Sequence, residues 1–286
     1  MVRDDFAIFI LSHGRANNLM TVKTLRKFNY SGRWYVVIDT DDDQQEQYIQ
    51  NFGKEHILIF NKDDVENEFD IMDNFSGRQV PVYARNMLFK FAKQLGLTYF
   101  WELEDDYTNI RMRKVDENGV LRSHYFKNVD DAINPMLEFL DLSDAITVCW
   151  AQTGDLIGGK DACLYKEIIS RKAMQTFFCR TDRPFQYFGR FNDDVNMYVY
   201  YGMIGKLVMS IRNVCIDQPV TQVTEGGIKD MYAKYGTYVK SFYSVMMCPS
   251  SVKIHIIGDK HYRIHHVVKH ETSYVKVISS RYKKES

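Results

Sequence analysis

Three short apolar runs, each ending abruptly in polar or acidic residues, constrain the fold of this chain more than any other feature. They are residues 6–11 (FAIFIL) before SHGRANN, residues 34–38 (WYVVI) before Asp39, and residues 99–103 (YFWEL) before Glu104-Asp105-Asp106. A continuous apolar run of this length suits a strand buried on both faces. Residues 57–60 (ILIF) read as a further strand. Between the strands, residues 19–28 carry Leu19, Val22 and Leu25 at three-residue steps, a helical spacing. Residues 83–95 (YARNMLFKFAKQL) form an amphipathic helix stopped by Gly96. Strands alternating with helices specify a parallel α/β sheet with right-handed crossovers. Ligands in such sheets sit beyond the carboxyl ends of the strands. The polar clusters at 12–15, 39–43 and 104–106 are therefore expected on one rim, although they are far apart in sequence.

The rest of the chain is less regular. Residues 61–80 read as a long polar loop. Residues 109–118 are charged and end in a turn at Asn118-Gly119. Residues 129–140 look helical despite Pro135, 145–150 (AITVCW) read as a strand, and 154–160 as a glycine-containing loop. Signals over 166–178 are mixed, 192–201 is an aromatic-rich helix, and a helix follows Glu225-Gly226-Gly227. No repeat or low-complexity linker interrupts the chain, which reads as one continuous domain over 1–286.

Composition narrows the class. The chain has 286 residues, 45% of them apolar and 26% charged, ordinary values for a globular protein with a sizeable core. No apolar run approaches the roughly 20 residues that span a bilayer, and the N-terminal residues do not read as a signal peptide. Five scattered cysteines without CxxC spacing fit thiols in a reducing cytosol, so a cytoplasmic protein is expected. The zero net charge is unevenly distributed. Residues 39–73 hold twelve acidic residues against Lys54 and Lys62, and residues 253–286 hold eight Lys/Arg against three acidic residues, with five of the eight histidines. A basic, histidine-rich end can meet a polyanion, although a solvated surface explains the charge alone. There is no GxxxxGK[ST], no GxGxxG after the first strand and no GxSxG, which disfavours P-loop NTPases, dinucleotide dehydrogenases and hydrolases with a nucleophile elbow.

The strand-end clusters suggest chemistry. Alternate residues of an extended segment face one side, so Glu104 and Asp106 can approach one site. Adjacent carboxylates repel unless compensated, and Mg²⁺ or Mn²⁺ is the oxygen-loving partner expected; a solvated acidic turn is the bland alternative. Asp39 can accept from a base or ribose. Arg15, Arg78 and Arg85 suit a pyrophosphate through bidentate guanidinium geometry, or else make surface salt bridges. Asn86 can touch ligand or cap its helix. Asp193 and Asp194 can take a proton from an acceptor hydroxyl, or simply favour a helix N-terminus. His265 and His266 can complete a metal shell. Glu225, Gly226 and Gly227 can approach a sugar or phosphate, or form a tight turn.

These segments together resemble glycosyltransferases of the GT-A fold. ILSHGRANN is similar to that family's first nucleotide-binding loop, VVIDTDDD to the acid that meets the base, and YARNML to the helix start over the nucleotide. FWELEDD is similar to the DxD-type metal motif, with Glu in its first position; FNDDVN is similar to the segment carrying the base of inverting enzymes, and RIHH to the histidine closing the metal site. More narrowly, ILSHGRA, ARNML, WELEDD, GRFNDDVN, TEGG and YRIHH in this order resemble the phage TET-associated glycosyltransferases. The resemblance implies an α/β GT-A fold, with a nucleotide-sugar half over 1–106 and an acceptor half over 107–286. It implies Ser12, Arg15, Asp39, Arg78, Arg85, Asn86, Glu104 and Asp105 around a nucleotide sugar, such as a UDP-sugar. Glu104, Asp106 and His265 or His266 would hold Mn²⁺ or Mg²⁺, with Asp193 or Asp194 as base and residues 225–227 as an acceptor loop. The implied acceptor is a hydroxymethylated pyrimidine in phage DNA, in the host cytoplasm. Rivals are a GT-A enzyme for a glycan or small molecule, a nucleotidyltransferase, and an inert nucleotide- or DNA-binding module.

Overall fold

The structure, a computed structural model, describes residues 1–152, 169–170, 172–219, 234, 236, 238–258 and 262–273. A ten-stranded sheet runs through it in the order β3-β2-β1-β4-β9-β7-β10-β5-β6, with β8 (Ile169–Ser170) also on β10. The strands are β1 (Phe6–Leu11), β2 (Arg33–Asp39), β3 (Ile57–Phe60), β4 (Tyr99–Glu104), β5 (Asn109–Val115), β6 (Leu121–Tyr125), β7 (Ala145–Gln152), β9 (Phe177–Arg180) and β10 (Leu207–Asp217). β1 to β4 pair in parallel. β9 runs antiparallel between β4 and β7, so β7 points the same way as β4, and β10 is parallel to β7. Six strands thus end on one rim. A separate hairpin joins β11 (Val252–Ile257) to β12 (Arg263–Val268).

Every residue of β1 is buried, as a strand covered on both faces requires. Its alternation feeds two cores. Ala7, Phe9 and Leu11 meet α3 (Val82–Gln94) and α5 (Asp193–Met203) on one face. Phe6, Ile8 and Ile10 meet α1 (Met20–Lys27) and α4 (Asp130–Leu142) on the other. α6 (Val239–Met247) and the short α7 (His270–Ser273) complete the described helices, with α2 (Gln45–Phe52).

The expected parallel strands and the helices at 19–28, 83–95, 129–140 and 192–201 are present within one or two residues. Asn118-Gly119 forms the β5–β6 turn, with Gly119 at φ +74° and the Asp116 carboxylate accepting from the Val120 N–H. The polar stretch before Phe52 forms a helix, α2. The charged stretch from Asn109 is a strand, and the long β10 and the β11–β12 hairpin are additions to the sequence reading. Residues 225–227 and His261 lie outside the described residues, as does Cys163; the other four cysteines are free and buried. Among the described residues no helix is long and apolar enough to cross a membrane.

Candidate active site

The loop after β1 meets the ends of β2 and β4 on the rim. The Ser12 hydroxyl donates to Asp105 Oδ2 (2.6 Å) and shares a hydrogen bond with the Tyr48 hydroxyl (2.7 Å). Arg15 Nη1 reaches Asp105 Oδ1 at 2.6 Å, and the Arg15 backbone N–H donates to Tyr48. The Gly14 N–H donates to Asp42 Oδ2. Asp39 pairs with His13 Nδ1 (3.0 Å) and accepts from Lys62 Nζ (2.9 Å), which also reaches Asp41. Burial opposes ionisation of Asp39, yet the hydrogen bonds from His13 and Lys62 outweigh it and hold its pKa down to about 2. The same hydrogen bond to Asp39, against burial, raises the pKa of His13.

Strand alternation divides the acid motif between two pockets. On β4, Tyr99, Trp101 and Leu103 face α1 and α4, and Phe100 faces α3. Glu102 and Glu104 therefore turn toward α3, and Asp105 turns the other way, toward Ser12 and Arg15. Arg85 of α3 answers the first pair. Its Nη1 donates to Asp193 Oδ2 (3.0 Å) and its Nη2 to Glu104 Oε1 (3.1 Å). Its Nε lies 2.9 Å from Glu102 Oε1, an ion pair without hydrogen-bond alignment. Tyr187 donates to the other Glu102 oxygen at 2.9 Å. Burial, only partly opposed by Arg85, raises Glu102 to about 7 and Glu104 to about 8. Burial and the neighbouring Asp105 raise Asp106 to about 6. Burial also raises Asp193, against Arg85. Glu104 and Asp106 stay half-buried while Asp105 is buried, so the outer members of the motif are the reachable ones.

Asp193 and Asp194 open α5. Asn192, at φ +53°, turns the chain into that helix. Its side-chain N–H group donates to the Lys240 carbonyl (2.7 Å) and approaches His266 Nδ1 (3.0 Å). The β12 histidine is thereby tied to the residue that precedes Asp193. His265 follows with its ring centroid 4.5 Å from that of His266. Burial, with His265 and Lys240 adding to it, lowers His266 to about 4 and keeps it neutral. Among the described residues no three His, Cys, Asp or Glu side chains form a metal-holding group.

Three expected nucleotide contacts have structural work. Arg85 is 2% exposed, so its guanidinium balances carboxylates instead of facing the solvent side of the rim. Asn86 lies inside α3 and pins Tyr187, donating to its carbonyl and accepting from its N–H, both at 2.9 Å. Arg78 braces the 61–80 loop through Asp63 and Glu66. Conversely, His13, Tyr48, Lys62, Glu102 and Tyr187 belong to the site without having been singled out. Glu102 had a signal: a carboxylate inside a buried strand demands a partner.

An α/β sheet with parallel strand ends that gather acids and arginines on one rim is the α/β class expected from the sequence. The chain belongs to the TET-associated glycosyltransferase family, whose model matches residues 6–227, and it is a glycosyltransferase. The β11–β12 hairpin, with His265 and His266, lies beyond that match. A search of curated proteins finds no match. Among solved structures it is similar to glucosyl-3-phosphoglycerate synthase from Mycobacterium tuberculosis in complex with Mg²⁺ and uridine diphosphate, at 8% identity and TM-score 0.44, covering 92% of this chain and 87% of that one. Mannosyl-3-phosphoglycerate synthase from Rubrobacter xylanophilus is similar at 8% identity and TM-score 0.39, covering 92% and 86%.

Proposed function

We propose that this protein moves a sugar from a nucleotide sugar, such as a UDP-sugar, to the hydroxymethyl group of a modified pyrimidine in phage DNA. The observation that carries the reading is the meeting of three separate strand ends, Ser12/Arg15, Asp39 and Glu104–Asp106, with Asp193 tied to the same knot through Arg85. Family membership supports the transfer, and the motif order read in the sequence supports the acceptor.

The donor set fits a hard divalent cation. Glu102, Glu104, Asp193 and Asp194 crowd around Arg85, and Asp105 and Asp106 around Arg15, and Asp106 Oδ1 is buried without a hydrogen-bond partner. Glu104 and Asp106, with His265 or His266, would hold Mn²⁺ or Mg²⁺, which would neutralise charge on a diphosphate leaving group. Ser12, Arg15 and Asp39 hold the nucleotide, Asp39 accepting from its base or ribose. Asp105 fixes Arg15 and Ser12 in place. If transfer inverts the anomeric centre, the acceptor oxygen bonds to that carbon as its bond to the diphosphate breaks. The hydroxyl proton then passes to Asp193 or Asp194. In a retaining reaction the same carboxylates position the sugar. A duplex acceptor has its target nucleotide flipped out to reach the rim.

The test is mass spectrometry of nucleosides from DNA containing 5-hydroxymethylcytosine or 5-hydroxymethyluracil, after incubation with Mn²⁺ and a panel of nucleotide sugars. A hexose- or pentose-sized gain on the modified base only, lost with EDTA, is the expected result. Transfer to glycans with none to either DNA would move the acceptor to a sugar. Retained nucleotide binding with no transfer to any acceptor would favour the inert binding module.

A further inference from the structure

We infer that Gln152, Gln175 and Gln218 form the site that reads the hydrogen-bonding edge of the acceptor pyrimidine; this rests on the proposed DNA acceptor. The three are far apart in sequence and meet because of sheet topology. Gln152 ends β7 and Gln218 follows β10, and both strands run parallel to β4. Gln175 lies just before β9, which starts at the rim between β4 and β7. Trp101 of β4 and Val148 of β7 both pair with Phe178, so Gln152 stands level with Asp105. Neighbouring strands are roughly 4.8 Å apart, which puts the end of β7 roughly 10 Å along the rim from the acid motif.

The side chains are joined to one another and to that motif. Gln152 Nε2 donates to Gln175 Oε1 and, at 3.3 Å, to Gln218 Oε1. Tyr107, the residue after Asp106, donates through its hydroxyl to the Gln175 carbonyl at 2.6 Å. Gln175 sits at φ +58°, a left-handed conformation unfavourable for a glutamine; such strain concentrates at ligand clamps. All three side chains are half-buried.

The chemistry points to a neutral heterocycle. Gln152 spends its N–H donors on the other two carboxamides, so Gln175 and Gln218 carry the donors and acceptors that complement a pyrimidine edge and match a phosphate poorly. Position points the same way. The charged cluster of Ser12, Arg15, Asp39 and Lys62 lies on the β1–β2 side of the acid motif, and the glutamines lie on the β7–β10 side. A donor on one side and an acceptor on the other meet at Glu104–Asp106.

The test compares the full chain with Gln175→Gly, which keeps the left-handed backbone, and Gln218→Ala. Probes are a DNA duplex with one 5-hydroxymethylcytosine, the same duplex abasic at that position, and UDP with Mn²⁺. Carboxamide–base pairs contribute discrimination of about tenfold or more. The expected result is at least that loss of affinity for the hydroxymethylated duplex, with abasic-duplex and UDP–Mn²⁺ binding unchanged. Unchanged affinity for the modified duplex would overturn the inference. So would a parallel loss of UDP–Mn²⁺ binding, which would move the glutamines to the donor sugar. If the unaltered protein binds UDP–Mn²⁺ but does not distinguish the modified from the abasic duplex, the DNA acceptor itself fails and the inference with it.

Discussion

At Arg85 one guanidinium faces carboxylates from β4 and from the start of α5. Removing one member of a buried charge cluster is far worse than never having built it, because the remaining charges lose their partner. Arg85→Met should lower stability by about 3–5 kcal/mol at pH 8. The loss should shrink near pH 5, because Glu102 and Glu104, raised to about 7 and about 8, are neutral there and leave less stranded charge. Urea unfolding at the two pH values reads this; an equal loss at both would show that Arg85 acts through packing alone. His13 gives the opposite slope. Its pKa is raised by Asp39, so its contribution is full below about 6.5 and fades as pH rises through the raised value. Asp39, lowered to about 2, contributes above its usual 3.8 and loses this as pH falls through about 2. The pair is therefore strongest from about pH 4 to 6.5. His13→Ala should reduce stability by about 1 kcal/mol in that window, allowing for partial exposure, and by less at pH 9, as Tm measurements would show. The rim placement of residues was legible where strand ends carried charge. Residue roles were not legible where a side chain from a distant helix supplied the partner: Arg85 could be picked out as important, but not as a counter-charge, without knowing that α3 crosses the face onto which Glu102 and Glu104 turn.

Legibility at the level of elements followed burial. β1 and β4 read directly because a strand covered on both faces is a run of apolar residues, and the edge strand β3 read as a short apolar run although Ile59 is exposed. β10 is covered too, yet Ser210 and Arg212 occupy positions buried to 5% and 9% exposure and break its pattern. α2 buries only Tyr48, so it has no apolar stripe to reveal its period. The turn into α5 was legible as composition but not as geometry. Gly189, at φ +83°, lies so close to Asn196 that a Cβ would stand 2.4 Å from its Nδ2. Asn196 in turn donates to the carbonyls of Phe188 and Phe191 and accepts from Ser244. Gly189→Ala therefore meets a strained backbone, about 1–2 kcal/mol, and a disturbed buried hydrogen-bond set, about 1–3 kcal/mol. A loss of about 2–5 kcal/mol is expected. Because Asp193 and Asp194 begin the helix that this turn launches, kcat should fall while KM for the donor holds. A fall in donor affinity instead would place the turn in the nucleotide pocket.

Across the whole molecule the rim is built for function at the expense of stability. The parallel direction of β1, β2, β4, β7 and β10 brings acids to one edge, and neither Arg15 nor Arg85 reaches the buried Oδ1 of Asp106. A carboxylate held with its pKa near 6 is ionised at pH 8 against its surroundings, so neutralising it should relax the protein. Without added metal, Asp106→Asn should raise stability at pH 8 by on the order of 1 kcal/mol, the scale of one pKa unit. The gain should shrink as pH falls through about 6 and vanish only below the ordinary value of 3.8, where the unfolded carboxyl is protonated too. Added Mn²⁺ should raise the Tm of the unaltered protein by mass action on the folded state, with EDTA reversing the shift. The same titration on Asp106→Asn should give little or no shift, and sugar transfer should be lost. Stability and activity would then move in opposite directions at one residue, as expected where a site is held in a strained charge state for its ligand. An Asp106→Asn protein that is less stable at pH 8 and still responds fully to Mn²⁺ would remove Asp106 from the proposed metal site and leave Glu104 to hold the ion with other residues.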